Sequence, residues 1–334
     1  MNFTQDHLQR IAQCRILVVG DVMLDHFIWG HVRRISPEAP VPIVEVTKEE
    51  FYPGGAANVA RNIAPFTPHT HLMGRVGRDM AADKLRSLLI EDQVDPEPLL
   101  VHETLPTISK ARVVARQQQI VRVDRERLLP QTDDELFEVE RRLRDLAPKL
   151  DAIILEDYGK GFITEKLMRV VAKVAAEHRL IVTVDPSPRN PLPWEGVSLV
   201  KPNRLEAFAA AGIEDHLLPE PPLENAELLE VGRILLAKWN VASVLVTLGE
   251  QGMIIFERDQ PPHHIPTRAQ EVFDVSGAGD TAIALLTLAL ASGLSLRDAA
   301  DVANQASGIV VGKLGTATLT PDELLAAFES SSLS

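Results

Sequence analysis

The sequence predicts an α/β fold of the doubly wound type, with a mostly parallel sheet, helices on both of its faces and a small antiparallel β lid. Two observations lead to this prediction. Short apolar runs rich in β-branched residues alternate with segments of helical periodicity, which is the pattern of βαβ units. Two other segments alternate polar with apolar residues, which indicates strands with one solvated face.

Five apolar runs are predicted as buried parallel strands. The first, residues 15–20, is a β-branched run that ends in glycine, and such a continuous run is typical of a strand covered on both faces. The other runs lie at residues 152–155, 180–184, 197–200 and 241–247. Helical patterns lie at residues 164–178, 204–211, 226–238, 281–291 and 296–311. Because helices separate most of the strands, we expect neighbouring strands to be parallel.

Two segments depart from this rhythm and are predicted to form the lid. Residues 26–46 hold short alternating runs around a Pro-rich turn, and residues 107–124 alternate as well. Alternation predicts half-exposed antiparallel strands, and the two insertions can pair into one small sheet over the main domain. Residues 1–334 would then form a single domain with a lid. Exposed apolar faces on the lid strands would favour pairing with a second copy of the chain.

Composition limits the classes of function. The net charge of −13 argues against nucleic acid as a partner, because binding a phosphate backbone needs a basic surface. The first 13 residues lack the apolar core of a signal peptide, and no apolar run reaches the length of a membrane span. The single cysteine, Cys14, permits no intramolecular disulfide. We therefore expect a cytoplasmic enzyme.

Residues 277–282 match the G-x-G-x-x-A fingerprint of dinucleotide-binding proteins. That fingerprint should follow the first strand and lead to an acidic residue at the end of the next strand. Here the match opens a helix near the C-terminus, and the acidic residue at the right spacing, Asp298, falls within a helix. A Walker A loop also fits poorly, since residues 308–314 are one residue too short and have leucine in place of the hydroxyl. The sequence therefore gives poor support to the hypothesis of an NAD(P)-dependent oxidoreductase.

The same glycine-rich run favours phosphoryl transfer. Gly277, Ala278 and Gly279 lead into a helix, so unpaired backbone N–H groups converge at its positive end and can stabilise a transferring phosphoryl group. Asp280 follows in the first helical turn. On its own, a carboxylate at that position is explained sufficiently as a favourable helix-start residue. Next to an anion hole, however, it is also a proton acceptor beside a bound phosphate.

Two earlier clusters fit a sugar as the phosphoryl acceptor. Gly54 and Gly55 precede a helical segment, so the backbone can approach a ligand closely, and Asn58 can both donate and accept hydrogen bonds. Asp21 follows the first strand, and open α/β sheets bind ligands at the carboxyl ends of their strands. Carboxylates at such a position match the vicinal hydroxyls of a sugar.

The order of these clusters resembles the ribokinase-like (PfkB) family of carbohydrate kinases. Residues 54–58 and 274–280 match the signatures of that family, and the resemblance covers nearly the whole chain. Further segments resemble the kinase part of the enzymes of ADP-heptose synthesis within the family. They are residues 20–25, 34–42, 156–161 and 311–316.

This resemblance implies a reaction. ATP with Mg²⁺ would be the phosphoryl donor, D-glycero-β-D-manno-heptose 7-phosphate the acceptor and the 1,7-bisphosphate the product, a step in the synthesis of the lipopolysaccharide inner core. Some relatives carry an adenylyltransferase domain after the kinase, and because this chain ends at Ser334 we expect the kinase alone. A homodimer through the lid is also implied. A kinase of another sugar or nucleoside, and a non-catalytic sugar-binding protein, remain alternatives.

The resemblance also implies roles for single residues. Asp280 would be the catalytic base, and the three residues before it the anion hole. The residues expected on the ATP side are Asn203, Glu206, Thr247, Gly249, Gly252 and Asn304, of which the first two would organise Mg²⁺ and the triphosphate. Those expected to contact the sugar are Asp21, Gly54, Gly55, Asn58 and Asp157. Asp274, Ser276 and Gly315 fall where relatives often hold a monovalent cation such as K⁺.

An acceptor that already carries a phosphate needs a cationic partner in the site. Lys110 and Arg112 are candidates because positions i and i+2 lie on one face of a strand. Lys160, in the 156–161 turn, is another. Further options are Arg33, Arg34 and Arg61. Each of these residues can equally be a solvated surface charge, so the prediction applies to the group and not to one member.

Overall fold

The computed structural model describes residues 3–115, 118–217, 220–268, 273–313 and 315–331. Residues 116–117 of the predicted lid and Leu314 of the 311–316 segment lie outside the described residues. Within the described ranges, no helix combines the length and the apolar character needed to cross a bilayer.

Strands and helices alternate along most of the chain. The strands are β1 (Ile16–Gly20), β2 (Val22–Ile35), β3 (Pro42–Gly55), β4 (Thr70–Met73), β5 (Arg75–Gly77), β6 (Leu100–His102), β7 (Ile108–Ala115), β8 (Gln118–Arg125), β9 (Ala152–Glu156), β10 (Ile181–Asp185), β11 (Leu199–Val200), β12 (Ser243–Thr247), β13 (Met253–Glu257) and β14 (His263–Ile265). The helices are α1 (Gln5–Ile11), α2 (Ala56–Ile63), α3 (Met80–Glu91), α4 (Asp133–Leu146), α5 (Glu165–His178), α6 (Arg204–Ala211), α7 (Ala226–Trp239), α8 (Ala278–Ala291), α9 (Leu296–Val311) and α10 (Pro321–Ser331).

The main sheet has eight strands in the order β14-β13-β12-β11-β10-β9-β1-β4. Every neighbouring pair from β12 to β4 is parallel, whereas β13 and β14 add an antiparallel edge. All five predicted strands lie in the parallel part. The prediction of a mostly parallel sheet is confirmed.

Helices cover both faces of this sheet. In β1, Ile16 and Val18 join one buried apolar cluster, with residues of α2, α8 and α9. Leu17 and Val19 join a second cluster, with residues of α4, α5 and α7. Because successive side chains of a strand point to opposite faces, the two clusters lie on opposite sides of the sheet. This arrangement is the predicted doubly wound fold.

The lid is a separate sheet of four strands in the order β3-β2-β7-β8. Its two hairpins, β2–β3 and β7–β8, are antiparallel, as the alternation predicted. The hairpins join through β2 and β7, and that pair is parallel, which the sequence did not indicate. Both strands leave the main domain in the same direction, since Met23 pairs with Ile108 at the base and Gly30 with Ala115 further out.

The first lid hairpin is longer than its sequence pattern suggested. The alternating pattern was limited to residues 26–46, but β2 begins at Val22 and β3 continues to Gly55. Consecutive charged residues at 48–50 interrupt the apolar alternation, so the strand continues where its pattern does not. As a result, β3 ends directly at the helix α2 and connects the lid to the candidate site.

Candidate active site

Polar side chains gather at the carboxyl ends of four neighbouring strands. Asp21 follows β1, Glu156 and Asp185 are the last residues of β9 and β10, and Lys201 follows β11. Glu156 pairs in register with Asp185. All four are buried or nearly so. The sheet thus brings together residues that are up to 180 positions apart in the sequence, from Asp21 to Lys201.

The helix α8 begins at this edge of the sheet. Gly277 caps it with φ of 80°, a left-handed conformation that favours glycine. Ala278 donates its N–H to the Val275 carbonyl at 3.3 Å. In the described part of the chain, the N–H groups of Gly277, Gly279 and Asp280 have no acceptor. Unpaired donors at a helix N-terminus are suited to an anion.

Asp280 is buried in the first turn of α8 and accepts two side-chain hydrogen bonds. Asn58 Nδ2 donates to its Oδ2 at 2.5 Å, and the Tyr158 hydroxyl donates to its Oδ1 at 2.9 Å. Burial raises the pKa of Asp280 to about 6, while the two donors act in the opposite direction. Such a carboxyl is ionised at neutral pH but close to the pKa of an effective general base.

Asn58 reaches Asp280 from α2, the helix that follows the glycine pair. Gly55 has φ of 59°, and a Cβ at this position would lie 2.4 Å from the Asp21 carbonyl oxygen. A Cβ at Gly54 would lie 2.4 Å from Asp25 Oδ2. The glycines thus allow close contact between protein segments. Among the described residues, buried Asn58 Oδ1 has no partner, so it can accept a hydrogen bond from a ligand hydroxyl.

Asp21 holds the turn that follows β9. Its carboxylate accepts the backbone N–H groups of Tyr158, Lys160 and Phe162 at 2.9–3.0 Å. Burial raises the pKa of Asp21, and these donors oppose the rise. The predicted contact of Asp21 with a sugar stays a prediction. What the structure shows is that Asp21 fixes the turn from which Tyr158 reaches Asp280.

Asp157 is buried in the same turn. Its Oδ1 accepts the N–H of Gly159 at 2.8 Å and its Oδ2 accepts Asn190 Nδ2 at 2.9 Å. Burial raises the pKa of Asp157 to about 7, and the charge of Asp21 adds to the rise. The contact of Asp157 with a sugar, like that of Asp21, stays a prediction.

Three acidic residues, Asp185, Glu156 and Glu206, lie near Lys201. Only Glu206 was predicted from the sequence. The Lys201 ammonium pairs with Asp185 Oδ2 at 2.8 Å, and its side chain is only 2% exposed. Burial raises the pKa of Glu156 and of Asp185, and Glu156 Oε2 has no partner among the described residues. A usable signal existed, because each residue missed by the sequence analysis ends or follows a predicted buried strand.

The residues predicted for the ATP side fall into two adjoining groups. Asn203 and Glu206 form a capping box at the start of α6, in which Asn203 Oδ1 accepts the Glu206 N–H at 2.9 Å and Glu206 Oε2 accepts the Asn203 N–H at 2.8 Å. Asn203 also forms a parallel bridge with Thr247. The second group lines a cavity of about 410 Å³ together with Ala278 and Gly279. It consists of Thr247, Gly249, Gly252 and Asn304.

This cavity is mainly apolar, and the first turns of α8 form part of its wall. Met253, Val275 and Ala282 contribute apolar surface. Asn304 Nδ2 donates to the Pro266 carbonyl at 2.6 Å, which leaves its Oδ1 as the acceptor at the cavity wall. A flat apolar group can therefore lie in the cavity next to Gly279, in the first turn of α8.

The residues predicted for a monovalent cation lie together. Asp274 accepts the N–H groups of Ser276 at 2.9 Å and Gly315 at 3.2 Å. These two hydrogen bonds lower the pKa of Asp274, so its carboxylate is ionised. Its position, a few residues before Gly277, joins the 315–316 turn to the start of α8.

The cationic candidates differ in what they contact. Arg112 is ion-paired with Asp25, whereas Lys110 lies beside it on the same lid strand, β7. Lys160 is buried, and its Nζ lies 2.6 Å from Glu126 Oε2. Arg61 pairs with Asp92 at 3.4 Å. Arg33 and Arg34 are exposed near the outer end of β2.

A sequence profile of the pfkB family carbohydrate kinases matches residues 14–323. The bifunctional protein HldE of Desulfatibacillum aliphaticivorans is 39% identical over 320 residues, which cover 95% of this chain and 64% of that protein. The bifunctional protein HldE of Yersinia enterocolitica is 44% identical over 310 residues, or 92% of this chain and 62% of that protein. The chain thus spans less than two thirds of the length of these curated relatives.

Solved structures show the same fold. Arabidopsis thaliana ribokinase, complexed with ribose and ATP, superposes with a TM-score of 0.72 at 19% identity and covers 95% of this chain and 99% of its own. Escherichia coli phosphofructokinase-2, in complex with potassium, gives a TM-score of 0.72 at 22% identity, with 96% and 99% coverage. The ribokinase-like fold therefore extends over nearly the whole chain.

Proposed function

The chain belongs to the pfkB family of carbohydrate kinases, and from this premise we propose that it transfers a phosphoryl group from ATP to the anomeric hydroxyl of D-glycero-β-D-manno-heptose 7-phosphate. The product is the 1,7-bisphosphate, a precursor of ADP-heptose and of the lipopolysaccharide inner core. The observation that carries the proposal is the buried Asp280 beside unpaired N–H groups at the start of α8. The use of ATP agrees with a cytoplasmic location.

Two observations support the heptose. The 156–161 turn resembles the kinase part of the ADP-heptose synthesis enzymes, and its Asp157, Tyr158 and Lys160 all lie at the candidate site. The relatives named HldE align with nearly all of this chain. The HldE proteins are bifunctional and longer than this chain. The proposal is therefore limited to the kinase reaction.

The reaction assigns a task to each group at the site. Asp280 accepts the proton of the anomeric hydroxyl, the hydroxyl oxygen forms a bond to the γ-phosphorus, and the bond between that phosphorus and the β–γ bridging oxygen breaks, so that ADP leaves. Asn58 and Tyr158 orient the Asp280 carboxylate. The N–H groups of Gly277 and Gly279 stabilise the charge on the transferring phosphoryl group.

The acidic groups near Lys201 fit a hydrated Mg²⁺ that is shared with the nucleotide. Glu156 Oε2 has no partner among the described residues, and Asp185 and Glu206 are close enough to influence each other's charge. Mg²⁺ in proteins keeps several waters and is held by one or two carboxylates together with substrate phosphates. Within the described residues, no group of three or more acidic, histidine or cysteine side chains forms a complete metal site. When bound, Mg²⁺ would neutralise phosphate charge.

The decisive experiment incubates the purified protein with ATP and Mg²⁺ in the presence of heptose 7-phosphate. We expect ADP formation that depends on the sugar, and a new anomeric phosphate detected by ³¹P NMR. Parallel reactions replace K⁺ with Na⁺, because Asp274, Ser276 and Gly315 are proposed to hold a monovalent cation. Lower turnover in Na⁺ is expected.

The alternatives give different results in the same assay. Preferred turnover of unphosphorylated heptose, another sugar or a nucleoside would assign the chain to a different substrate within the family. If no sugar or nucleoside causes ATP to be consumed, the proposed kinase reaction is contradicted, and a non-catalytic sugar-binding role is supported instead.

Replacing Tyr158 with phenylalanine should change how the reaction depends on pH. The general base must be ionised, so kcat/KM of the wild type falls as the pH drops through the Asp280 pKa of about 6. The Tyr158 hydroxyl lowers that pKa by donating to Asp280. In Tyr158→Phe the acid limb of the profile should therefore move to higher pH, while kcat/KM at pH 8 changes much less.

The matched control is the other tyrosine, Tyr52, whose hydroxyl donates to Glu50 on the lid. Tyr52→Phe should leave the acid limb where it is in the wild type. An unchanged acid limb in Tyr158→Phe would show that this hydroxyl does not set the ionisation of the base.

We further propose that two copies of the chain pair through their lids. Every residue of the edge strand β8 is exposed, and an unpaired edge favours strand addition. Apolar side chains on the lid are exposed as well. They are Val46 (53%), Ile120 (39%), Val121 (47%) and Val123 (57%).

Introducing charge on this strand should separate the copies. We expect the double variant Val121→Glu with Val123→Glu to sediment as a monomer in analytical ultracentrifugation, and the wild type as a dimer, because burying two carboxylates in an apolar contact is costly. Ile90→Glu, which changes an exposed apolar residue of α3, serves as the control and should remain dimeric. A monomeric wild type would contradict the proposal.

A further inference from the structure

The lid carries a lysine, Lys110, for which the described part of the chain provides no direct ion pair. Lys110 lies between Asp25 of β2 and Asp124 of β8 in the strand register. Both carboxylates are already engaged, since Arg112 pairs with Asp25 and Arg122 donates to Asp124 at 2.8 and 3.0 Å. Among the residues that the structure describes, none forms a hydrogen bond or an ion pair with the Lys110 ammonium.

A second lysine, Lys160, lies near Lys110, because its partner Glu126 follows β8 two residues after Asp124, the register partner of Lys110. The backbone N–H of Lys160 donates to Asp21 at 2.9 Å, which fixes its position relative to β1. Its side chain is 9% exposed and its Nζ lies 2.6 Å from Glu126 Oε2. An ammonium group has three donors, so Glu126 leaves two for another ligand. Partial burial lowers the pKa of Lys110, and the charge of Lys160 lowers it further.

Two neighbouring cations in a partly desolvated position repel each other unless an anion lies between them. Three carboxylates lie nearby, but Asp25 and Asp124 are paired with arginines, and Glu126 pairs with Lys160. The position therefore favours an anion that comes from outside the chain.

We propose that Lys110 and Lys160 together bind the phosphate group that the acceptor sugar already carries. This inference rests on the proposed function in one respect, namely that the acceptor is phosphorylated. A phosphate monoester has close to two negative charges and three terminal oxygens near neutral pH, enough to accept hydrogen bonds from both ammonium groups. Because Lys110 belongs to the lid and Lys160 to the main domain, the same phosphate would hold the lid over the site.

The other cationic candidates are less available. Arg112 pairs with Asp25, and its guanidinium lies 5.2 Å from the centre of the Phe27 ring. Arg61 pairs with Asp92 and donates to the Thr316 carbonyl at 3.0 Å. Arg34 is nine residues beyond Asp25 along β2, or about 30 Å at the rise of an extended strand.

The test compares Lys110→Met and Lys160→Met with Lys48→Met, a lid lysine that pairs with Glu50 at 2.7 Å. The preference for phosphorylated over unphosphorylated heptose is measured as the ratio of the two kcat/KM values. We expect each of the first two variants to lower this ratio about 10- to 100-fold, as for the loss of a charge-assisted hydrogen bond. Lys48→Met should keep the ratio of the wild type.

Binding of inorganic phosphate, followed by calorimetry, gives a readout that needs no turnover. The wild type and Lys48→Met should bind phosphate, and the Lys110 and Lys160 variants should bind it at least tenfold more weakly. Equal binding by all four proteins, or no binding to the wild type, would overturn the inference. Failure of the proposed function has a different signature, because heptose 7-phosphate would then not be turned over although phosphate binding still depended on both lysines.

Discussion

Replacement of Asp280 by asparagine should lower kcat by about 10²–10⁴, the usual contribution of a general base. The amide has nearly the same shape as the carboxylate but cannot accept the proton of the sugar hydroxyl. The nucleotide cavity is formed by other side chains, so ATP binding measured by calorimetry should remain within a few-fold of the wild type. The variant therefore separates the chemical step from binding.

The control for this variant is Asp134→Asn, which changes an exposed aspartate in the first turn of α4. It should have wild-type kcat. Circular dichroism and thermal melting of both proteins establish that they are folded. If the Asp280→Asn protein is folded and its kcat is within tenfold of the wild type, Asp280 is not the general base.

Replacement of Lys201 by methionine should lower the free energy of unfolding by about 3–5 kcal/mol, the typical cost of breaking a buried ion pair. Methionine fills a similar volume, but Asp185 then loses the ammonium group 2.8 Å away, and Glu156 loses a compensating charge. Urea unfolding at pH 8 measures the change, and an unaltered m-value would show that the unfolded state is the same.

The loss of stability in Lys201→Met should depend on pH. Burial raises the pKa of Asp185 and Glu156 above their usual values, and Lys201 opposes this rise. Without the lysine, the native state binds still more protons than the unfolded state, so its stability increases as the pH falls. We therefore expect a smaller difference from the wild type at pH 5.5 than at pH 8.

Two further variants define the origin of that loss. Lys149→Met removes an exposed lysine and should change the free energy of unfolding by less than about 0.5 kcal/mol. Adding Asp185→Asn to Lys201→Met removes the uncompensated charge and should restore part of the stability. A loss below about 1 kcal/mol for the single variant at pH 8 would mean that the pair is not held in a desolvated position.

Local sequence patterns predicted the framework of the fold. The predicted helices at residues 204–211 and 296–311 coincide with α6 and α9. Both begin after a residue whose side chain caps the helix, Asn203 or Ser295. Other elements were missed. The pattern of α4 is dominated by charged residues, although Thr132 and Glu135 form a capping box that can be recognised in the sequence. The strand β4 has only four residues, too few to show a period.

The glycine-rich run that ends at Asp280 could be recognised from sequence alone, since small residues, a helix start and a carboxylate are all local features. The burial of Asp280 and its hydrogen-bond donors could not be recognised in the same way. Asn58 and Tyr158 are 222 and 122 positions away from Asp280, and only the strand order of the sheet brings them to its carboxylate. The pKa of Asp280 depends on that burial and on those donors.

The same distinction applies to the charged residues. Composition and motifs identified Lys110, Arg112 and Lys160 as a group of cations, and they identified Asp21 as a polar residue at the end of a strand. Tertiary contacts decided that Arg112 is paired, that Lys110 lacks a partner among the described residues, and that Asp21 binds three backbone N–H groups. Backbone periodicity is encoded within a few neighbouring residues, whereas the partner of a charge is determined by strand register between distant segments.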